Sequence, residues 1–381
     1  MRLNDAIVSW LESVKDETIA LIEALCAIPA PSGLEDARAA FVKMWLENCG
    51  AATVSIDSAK NVLYPINCDG RDDIIVFLAH TDTVFPDTEP MPFSKDAKKL
   101  YAPGVGDDTA CLAIMLMIAK YVTVFNVKPN CGILFVANSC EEGLGNLKGI
   151  RQIMQDFEGR VKAVYSFDGQ YNSLVTKCVG SHRYAVTVKT IGGHSFGNFG
   201  NPSAIHASAK LICDLYACTV PTDGNSKTTY NVGVIEGGTS VNTIAQEAKF
   251  MYEYRSDSKT CLAEMQTFFE ETIKSAQAAG SAEITAETVG IRPCGGDVDE
   301  TLFAELCEKG VRISETHSKE PCRMTSGSTD CNIPMSLGVP SVCVGLYRGG
   351  GAHTREEYVW IDSIPAGLKI AADLILSYFC E

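Results

Sequence analysis

Three strongly apolar runs in the chain end abruptly in acidic or imidazole side chains. The runs cover residues 76–79, 131–137 and 161–167, and their length and composition predict buried β-strands. The polar residues that follow them are His80 and Asp82, Glu141 and Glu142, and Asp168. Open α/β sheets place ligand sites at the carboxyl ends of their strands. The pattern therefore predicts that these side chains gather along one edge of a sheet.

The spacing of apolar residues elsewhere predicts helices around this sheet. Apolar residues recur at helical spacing over residues 6–28, and a second helix is expected to end near residue 47. A buried helix over residues 111–124 begins just after Asp107 and Asp108. These two acids can cap that helix and complement its dipole, or one of them can face a metal ion. With short strands at 53–56 and 61–66, the order predicts an α/β domain with a mixed sheet flanked by helices.

The middle of the chain has a different order of elements. Alternating strands are predicted at 183–190, 228–236, 247–255 and 282–289, with helices over 202–215 and 262–278. The order βαββαβ is typical of a small ferredoxin-like α+β domain. After it, a buried strand at 340–344 and an amphipathic helix over 361–379 return to the α/β pattern. We therefore predict a catalytic domain in two parts, residues 1–179 and 292–381, with residues 180–291 inserted as a separate domain.

Composition narrows the possible partners and the cellular compartment. The 381 residues include 47 acidic and 32 basic side chains, for a formal net charge of -15, so we expect no nucleic acid and no anionic membrane surface as a partner. The sequence shows neither a signal peptide nor a membrane-spanning run, and we expect a cytoplasmic protein. The sixteen cysteines contain no Cys-x-x-Cys pair. They are expected to be buried, reduced thiols, Cys131 and Cys213 among them.

The candidate site residues share one kind of chemistry. They are two imidazoles and several carboxylates, with no thiolate: His80, Asp82, Asp107, Glu141, Glu142, Asp168 and His353. Such a set suits a pair of divalent ions such as zinc, held with an open position for hydrolysis. The long interval between Asp168 and His353 contains the inserted domain.

Five motifs in this order resemble a known family. They are His80-Thr81-Asp82, Gly106-Asp107-Asp108, Glu141-Glu142-Gly143, Ser326-Gly327-Ser328-Thr329-Asp330 and Gly351-Ala352-His353. Together they are similar to the di-zinc exopeptidases and amidohydrolases that include carboxypeptidase G, peptidase T, aminoacylase and succinyl-diaminopimelate desuccinylase. The resemblance extends over nearly the whole chain, including the inserted lid and dimerisation domain.

The resemblance implies a role for each residue of the set. His80 and Asp168 would bind one zinc ion, Glu142 and His353 the other, and Asp107 would bridge both, with Co2+ or Mn2+ as substitutes in vitro. Asp82 would support His80, and Glu141 would be the general base. Asp108 is not expected to bind metal, and the peptide bond between Asp107 and Asp108 is expected to be cis.

Physical reasoning supports the division of labour between the two glutamates. Adjacent carboxylates that leave a strand cannot both point at the same ion. Glu142 can therefore bind a metal while Glu141 stays free. Glu141 can then take a proton from the water molecule between the two metals, which becomes hydroxide, and pass that proton to the leaving amine.

The inserted domain supplies further candidates by the same resemblance. His194 resembles the histidine that stabilises the tetrahedral oxyanion, acting within its own subunit or in the partner of a homodimer. Asn242, Arg255 and Arg292 fall where relatives hold the substrate carboxylate, which a guanidinium can grip with two parallel hydrogen bonds.

The substrate stays open at this point. A peptidase T-like tripeptidase, which is an aminopeptidase, or a carboxypeptidase-like enzyme acting on short peptides is the first interpretation. A deacylase of N-acyl amino acids or of N-succinyl-diaminopimelate is the alternative. A binding protein on the same scaffold that has lost catalysis is an alternative of another class, although the presence of Glu141 argues against it.

Overall fold

The computed structural model describes residues 3–380. Its α-helices are α1 (Asp5–Ser13), α2 (Lys15–Cys26), α3 (Asp36–Asn48), α4 (Cys111–Val124), α5 (Lys148–Asp156), α6 (Ala204–Tyr216), α7 (Lys259–Ala278), α8 (Glu300–Ser318), α9 (Asn332–Ser336) and α10 (Ile364–Leu376). No helix of the described part is both long enough and apolar enough to cross a membrane.

The strands alternate with these helices along most of the chain. They are β1 (Ser55–Ile56), β2 (Val62–Ile66), β3 (Ile74–His80), β4 (Ser94–Lys95), β5 (Lys99–Tyr101), β6 (Gly132–Asn138), β7 (Val161–Phe167), β8 (Ser173–Cys178), β9 (Gly180–Lys189), β10 (Gly193–His194), β11 (Thr228–Gly237), β12 (Thr243–Ile244), β13 (Glu247–Ser256), β14 (Glu283–Arg292), β15 (Arg323–Gly327), β16 (Ser341–Val344), β17 (Gly349–Gly350) and β18 (Tyr358–Trp360).

The backbone forms two compact units. The second unit is residues 179–295, and the first unit comprises the chain on either side of it. The predicted insertion, residues 180–291, lies within the second unit, which ends at Gly295.

A mixed eight-stranded sheet forms the centre of the first unit. Its strand order is β1-β2-β6-β3-β7-β16-β8-β15. The central strand β3 runs parallel to both β6 and β7, and β16 runs parallel to β7. Because parallel neighbours end at the same edge, β3, β6 and β7 deliver the residues that follow them to one rim of the sheet.

Apolar residues on both faces of the sheet explain why helices cover each side. Every residue of β3 and β6 is buried. On one face Phe77 stacks on Tyr165 and Phe167, and residues of α2, α4 and α10 complete that core. On the other face Val76 and Leu134 pack with residues of α5 and α9. The predicted α/β class, with a mixed sheet flanked by helices, is confirmed.

The second unit has the predicted βαββαβ order, from β9 through α6, β11, β13 and α7 to β14. Its four strands pair antiparallel in the order β11-β13-β9-β14. Helices α6 and α7 cover one face, where Val186, Phe250 and Tyr252 are buried. This is the arrangement of a ferredoxin-like α+β domain, as the sequence predicts.

Several predicted details differ from the structure. The apolar spacing predicts a helix over residues 302–309, but α8 extends from Glu300 to Ser318, and several strands, β8 and β15 among them, lie where none was predicted. The sixteen cysteines are all free thiols. The prediction that they are buried is wrong for Cys213 on α6 and for Cys380, which are exposed, and it is only partly met by the half-buried Cys49, Cys131 and Cys218. Position on the outer side of an amphipathic helix explains the exposure of Cys213.

Candidate metal centre

The rim of the central sheet collects the candidate ligands from five places in the first unit. His80 is the last residue of β3, and Asp168 directly follows β7. Glu141 and Glu142 lie in the loop after β6, while His353 lies between β17 and β18. These residues are far apart along the chain, and the parallel strands bring them together.

Asp107 reaches the same rim from an irregular turn, Val105–Ala110, that leads into α4. The turn is interrupted at Asp107 and Asp108, whose backbone angles are not helical. The peptide bond between these two residues is cis, as expected from the sequence. Both side chains therefore lie ahead of the regular helix, which begins at Cys111.

Two groups of three side chains bring their donor atoms within 4.8 Å of one another, and Asp107 belongs to both. One group is His80, Asp107 and Asp168, and the other is Asp107, Glu142 and His353. The two carboxylate oxygens of Asp107 face different histidines. Oδ1 lies 3.0 Å from His80 Nε2, and Oδ2 lies 3.1 Å from His353 Nε2.

The spacing of these donors fits metal binding. Two donors that share a tetrahedral zinc ion are roughly 3.4 Å apart, since each lies about 2.0–2.1 Å from the ion. His353 Nε2 is 3.2 Å from Glu142 Oε1 and 3.1 Å from Asp107 Oδ2. Imidazole nitrogen and carboxylate oxygen are also the donors that divalent zinc accepts in proteins. The side chains present can therefore hold two divalent ions on either side of Asp107.

The crowded carboxylates of the cluster favour protonation of their neighbours or the binding of a cation. Hydrogen bonds to Asp107 and to Glu142 raise the pKa of His353 to about 10. Burial, followed by the charges of Asp107 and Glu142, raises the pKa of Asp168 to about 7. A divalent cation between these groups would offset the repulsion among the carboxylates.

The pKa values of His80 and Asp107 are shifted by the hydrogen bond between the two side chains. Burial lowers the pKa of His80, but hydrogen bonds to Asp107 and Asp82 more than offset this, and its pKa lies well above the ordinary value. Burial raises the pKa of Asp107, yet its bonds to His353 and His80 bring it well below the ordinary value.

Glu141 lies beside these two groups. It is 6% exposed and, with His80 and Glu142, forms a third group of donors within 4.8 Å. Asp108 points elsewhere, because its Oδ2 accepts the backbone N–H of His80 at 2.9 Å. Burial raises the pKa of Asp108 well above its ordinary value.

Asp82 contacts His80 and also supports the two glutamates. His80 Nδ1 lies 3.0 Å from the backbone carbonyl of Asp82 and 3.4 Å from its Oδ1. The carboxylate accepts the backbone N–H of Glu141 at 3.0 Å and that of Glu142 at 2.9 Å. Ser32 Oγ donates a further hydrogen bond of 2.6 Å to Oδ2. Burial raises the pKa of Asp82, but the contacts with His80 and Ser32 lower it by a larger amount, so the pKa lies below the ordinary value.

Three residues near the rim were missed by the sequence analysis as part of the site. Ser32, which donates to Asp82, lies in a Pro-Ser-Gly turn. Glu357 accepts hydrogen bonds from the backbone N–H groups of Gly104, Gly106 and Asp107. Asn138 donates to Asp330 over 2.7 Å in a buried contact. Glu357 follows His353 by four positions, and that proximity was the available signal.

The candidates of the second unit form two neighbouring pairs. His194 pairs with Thr243 across β10 and β12, and the Ser195 N–H donates to the Asn242 carbonyl at 2.9 Å, so His194 and Asn242 lie close together. His194 Nδ1 accepts the N–H groups of Phe196 and Gly197, each at 3.2 Å. The proton of the neutral ring is therefore on the exposed Nε2.

The two arginines lie on strands that flank β9. Arg255 of β13 and Arg292 of β14 both pair with Ser181. Arg255 donates two hydrogen bonds to Glu253, at 2.8 and 2.9 Å, whereas Arg292 is 4% exposed. The sequence prediction placed Arg292 after its strand, but it is the last residue of β14.

Known proteins resemble the chain over most of its length. Carboxypeptidase G2 from Pseudomonas sp. (strain RS-16) is 24% identical over 388 residues, covering 96% of this chain and 91% of that protein. The structure of a tripeptidase from Staphylococcus aureus has a TM-score of 0.70 and 22% identity, covering 95% of this chain and 99% of that one.

A third protein, the Bacillus subtilis YXEP protein, is described as a dinuclear metal binding peptidase from the M20 family. It has a TM-score of 0.63 at 15% identity and covers 96% of this chain and 99% of that chain. At this identity the solved structures establish the fold. The model of peptidase family M20/M25/M40 matches residues 76–377, which include all five candidate metal ligands. The chain therefore belongs to peptidase family M20/M25/M40 and is a hydrolase of amide or peptide bonds.

Proposed function

We propose that this protein is a two-zinc exopeptidase that cleaves short peptides bearing a free carboxylate. The observation that carries the proposal is the position of Asp107, whose two carboxylate oxygens face His80 and His353 separately. One carboxylate between two groups of donors is the arrangement that a pair of divalent ions needs. The dinuclear metal binding of the YXEP protein and the peptidase names of the other relatives support the same interpretation.

The residues of each group would hold one ion. His80 and Asp168 would bind one, Glu142 and His353 the other, and Asp107 both. When bound, the two ions would polarise the substrate carbonyl and lower the pKa of the attacking water. Glu141 would accept a proton from that water and donate it to the leaving amine. Glu141 is buried, and the hydrogen bond from its backbone N–H to Asp82 restrains the main chain from which this carboxylate extends.

The second unit would recognise the substrate. His194 would donate a hydrogen bond from Nε2 to the developing oxyanion, which agrees with the acceptor role of its Nδ1. Asn242, Arg255 and Arg292 would bind the substrate carboxylate. The peptidase T-like and carboxypeptidase-like reactions both present such a carboxylate, and so do N-acyl amino acids and N-succinyl-diaminopimelate as deacylase substrates.

A homodimer in the cytoplasm is part of the proposal. Strand β11 is an edge strand of the second unit, and its Val234 and Ile235 side chains are both more than half exposed. Exposed apolar side chains on an edge strand are suited to pairing with a second copy. Light scattering should report a dimer, and a fully active monomer would count against any role of His194 in the partner's site.

The activity test compares wild type with Glu141→Gln and with Glu158→Gln, an exposed carboxylate on the same unit. Each is assayed on tripeptides, dipeptides, N-acetyl amino acids and N-succinyl-diaminopimelate. We expect hydrolysis of short peptides, a loss of roughly 10²- to 10⁴-fold in Glu141→Gln, and no change in Glu158→Gln. Metal analysis should find two ions in all three proteins. Wild type that binds two ions and hydrolyses none of these compounds would favour the binding protein instead.

A further inference from the structure

Glu357 is a buried carboxylate outside the proposed ligand set. It is 1% exposed and lies immediately before β18. A buried carboxylate carries a large desolvation cost unless its oxygens accept hydrogen bonds. The partners of Glu357 therefore indicate why it is there.

Glu357 accepts hydrogen bonds from the backbone of the turn that carries Asp107 and from Gly104 just before it. Oε2 accepts the N–H of Gly104, and Oε1 accepts those of Gly106 and Asp107, each at 2.8 Å. The two oxygens of a carboxylate can accept all three N–H groups at once, whereas a side-chain amide has a single acceptor oxygen. Glu357 thus binds three backbone N–H groups that lie 250 or more positions away along the chain.

The turn also makes close packing contacts with Tyr347 and Thr83. A Cβ atom on Gly106 would lie 2.6 Å from the Tyr347 ring, and one on Gly104 would lie 2.7 Å from Thr83 Cγ2. Gly104 also has a φ of 72°, which favours glycine. Neither position therefore has room for a side chain, and the turn packs closely against Tyr347 and Thr83 while Glu357 binds its backbone N–H groups.

We propose that Glu357 is a positioning residue that sets Asp107 between the two metal ions. The inference rests on the proposed function, since it assigns the way in which the shared carboxylate is held. One short segment contributes both contacts, because His353 faces the Asp107 side chain at 3.1 Å while Glu357 binds the Asp107 backbone at 2.8 Å. Asp107 is thus contacted at its main chain and at its carboxylate by the same short segment.

The substitution Glu357→Gln tests the requirement for two acceptor oxygens. Glutamine offers one oxygen and an NH2 group, so at least one backbone N–H of the turn would face another donor. The turn would then move and take Asp107 with it. Partners that orient metal ligands in this way typically change metal affinity or activity by roughly 10- to 100-fold when removed.

The experiment titrates metal-free wild type and E357Q with Co2+, following the absorption of the bound ion and the heat of binding. We expect two ions to bind each wild-type chain, and we expect E357Q to bind the second ion with roughly 10- to 100-fold lower affinity. At saturating metal, kcat for the peptide substrate should fall by a similar factor while KM stays nearly unchanged. The control is Ile153→Val, a buried change in α5 on the other face of the sheet, which should lower thermal stability and leave both ions and kcat as in wild type.

Each other outcome decides against a specific claim. E357Q that binds both ions and turns over like wild type overturns the positioning role, and so does E357Q that only loses thermal stability, as the control does. Fewer than two ions in wild type would overturn the proposed function itself. If E357Q does not fold, Glu357→Asp, which keeps the carboxylate one methylene shorter, carries the test. This variant should bind the second ion with lower affinity than wild type, and unchanged affinity would overturn the inference.

Discussion

The Asp82 carboxylate accepts the backbone N–H of Glu142 at 2.9 Å across 60 positions of the chain. It accepts the N–H of Glu141 as well, at 3.0 Å. The residue predicted as a partner of His80 therefore also fixes the segment that holds the proposed general base and one proposed ligand. His80 itself is nearer to the backbone carbonyl of Asp82 than to its carboxylate.

Asp82→Asn should impair catalysis through this segment. The amide of asparagine would place an NH2 group against one of the glutamate N–H donors, so Glu141 and Glu142 would shift together. We expect kcat to fall roughly 10- to 100-fold. The circular-dichroism spectrum of the variant should match that of wild type. Asp96→Asn is the control, because Asp96 also accepts two backbone N–H groups, but in an exposed turn. Equal losses in the two variants would contradict the special role of Asp82.

Ser32→Ala tests the hydrogen bond that orients Asp82. Removing a neutral donor to a charged acceptor should cost about 1.5–3 kcal/mol of unfolding free energy, because Oδ2 of Asp82 loses its 2.6 Å contact. Urea unfolding gives the change in stability, and steady-state kinetics should show a smaller loss than Asp82→Asn. A kinetic loss larger than that of Asp82→Asn would mean that Ser32 acts by another route.

Metal removal should affect activity and stability together. Treatment with a chelator should abolish peptide hydrolysis and lower the melting temperature, because ions that bind only the folded state stabilise it by about 2.7 kcal/mol at 100 times their Kd. Adding Zn2+ should restore both, as followed by differential scanning fluorimetry and activity. Full activity in protein shown to be free of metal would exclude the two-ion proposal.

His194→Ala should lower kcat by roughly 10²- to 10³-fold, the effect of removing one oxyanion donor. The control is His206→Ala, an exposed histidine on α6, which should be silent. Nitrogen NMR shifts should in addition show Nδ1 of His194 without a proton in the neutral ring, since it accepts two backbone N–H groups. A protonated Nδ1 would contradict this arrangement.

Lys309 should make the free energy of unfolding depend on pH in the alkaline range. Burial lowers its pKa to about 8, only partly opposed by Asp373, so the folded state binds this proton less tightly than the unfolded state. Its destabilising effect is complete below pH 8 and disappears as the pH rises towards about 10.4, the value in the unfolded chain.

Lys309→Met isolates this effect. The variant should be more stable than wild type at pH 7, by up to about 3 kcal/mol, and the difference should shrink between pH 8 and pH 10. Loss of the contact between the ammonium and the Tyr378 ring, at 3.9 Å, acts in the opposite direction. Chemical unfolding at several pH values measures the difference, and a constant difference would show that the Lys309 pKa is not lowered.

Strands of the central sheet could be predicted from the sequence where a local run of apolar residues marks them. The apolar runs before His80, Glu141 and Asp168 are strands that run in parallel, and parallel strands share an edge whatever their distance along the chain. The same pattern does not exist for β15, whose residues Arg323–Gly327 are mostly exposed, so a strand held only by β8 was not predicted.

The supporting contacts of the site are a different case. Ser32 meets Asp82 across 50 positions and Glu357 meets Gly104 across 253. Hydrogen bonds of this kind have no period along the chain, and a serine in a Pro-Ser-Gly turn or a glutamate before a strand has many possible partners. Only the packed structure shows which backbone groups they satisfy.

The placing of β16 between β7 and β8 has a consequence for biosynthesis. Strands β7 and β8 are consecutive along the chain, yet residues 341–344 must be inserted between them. A nascent polypeptide that has just left the ribosome as far as Cys178 contains His80, Asp107, Glu142 and Asp168, but its sheet still has an open seam and His353 has not been translated. The central sheet and the proposed ligand set therefore stay incomplete until residues 341–353, close to the end of the chain, have been translated.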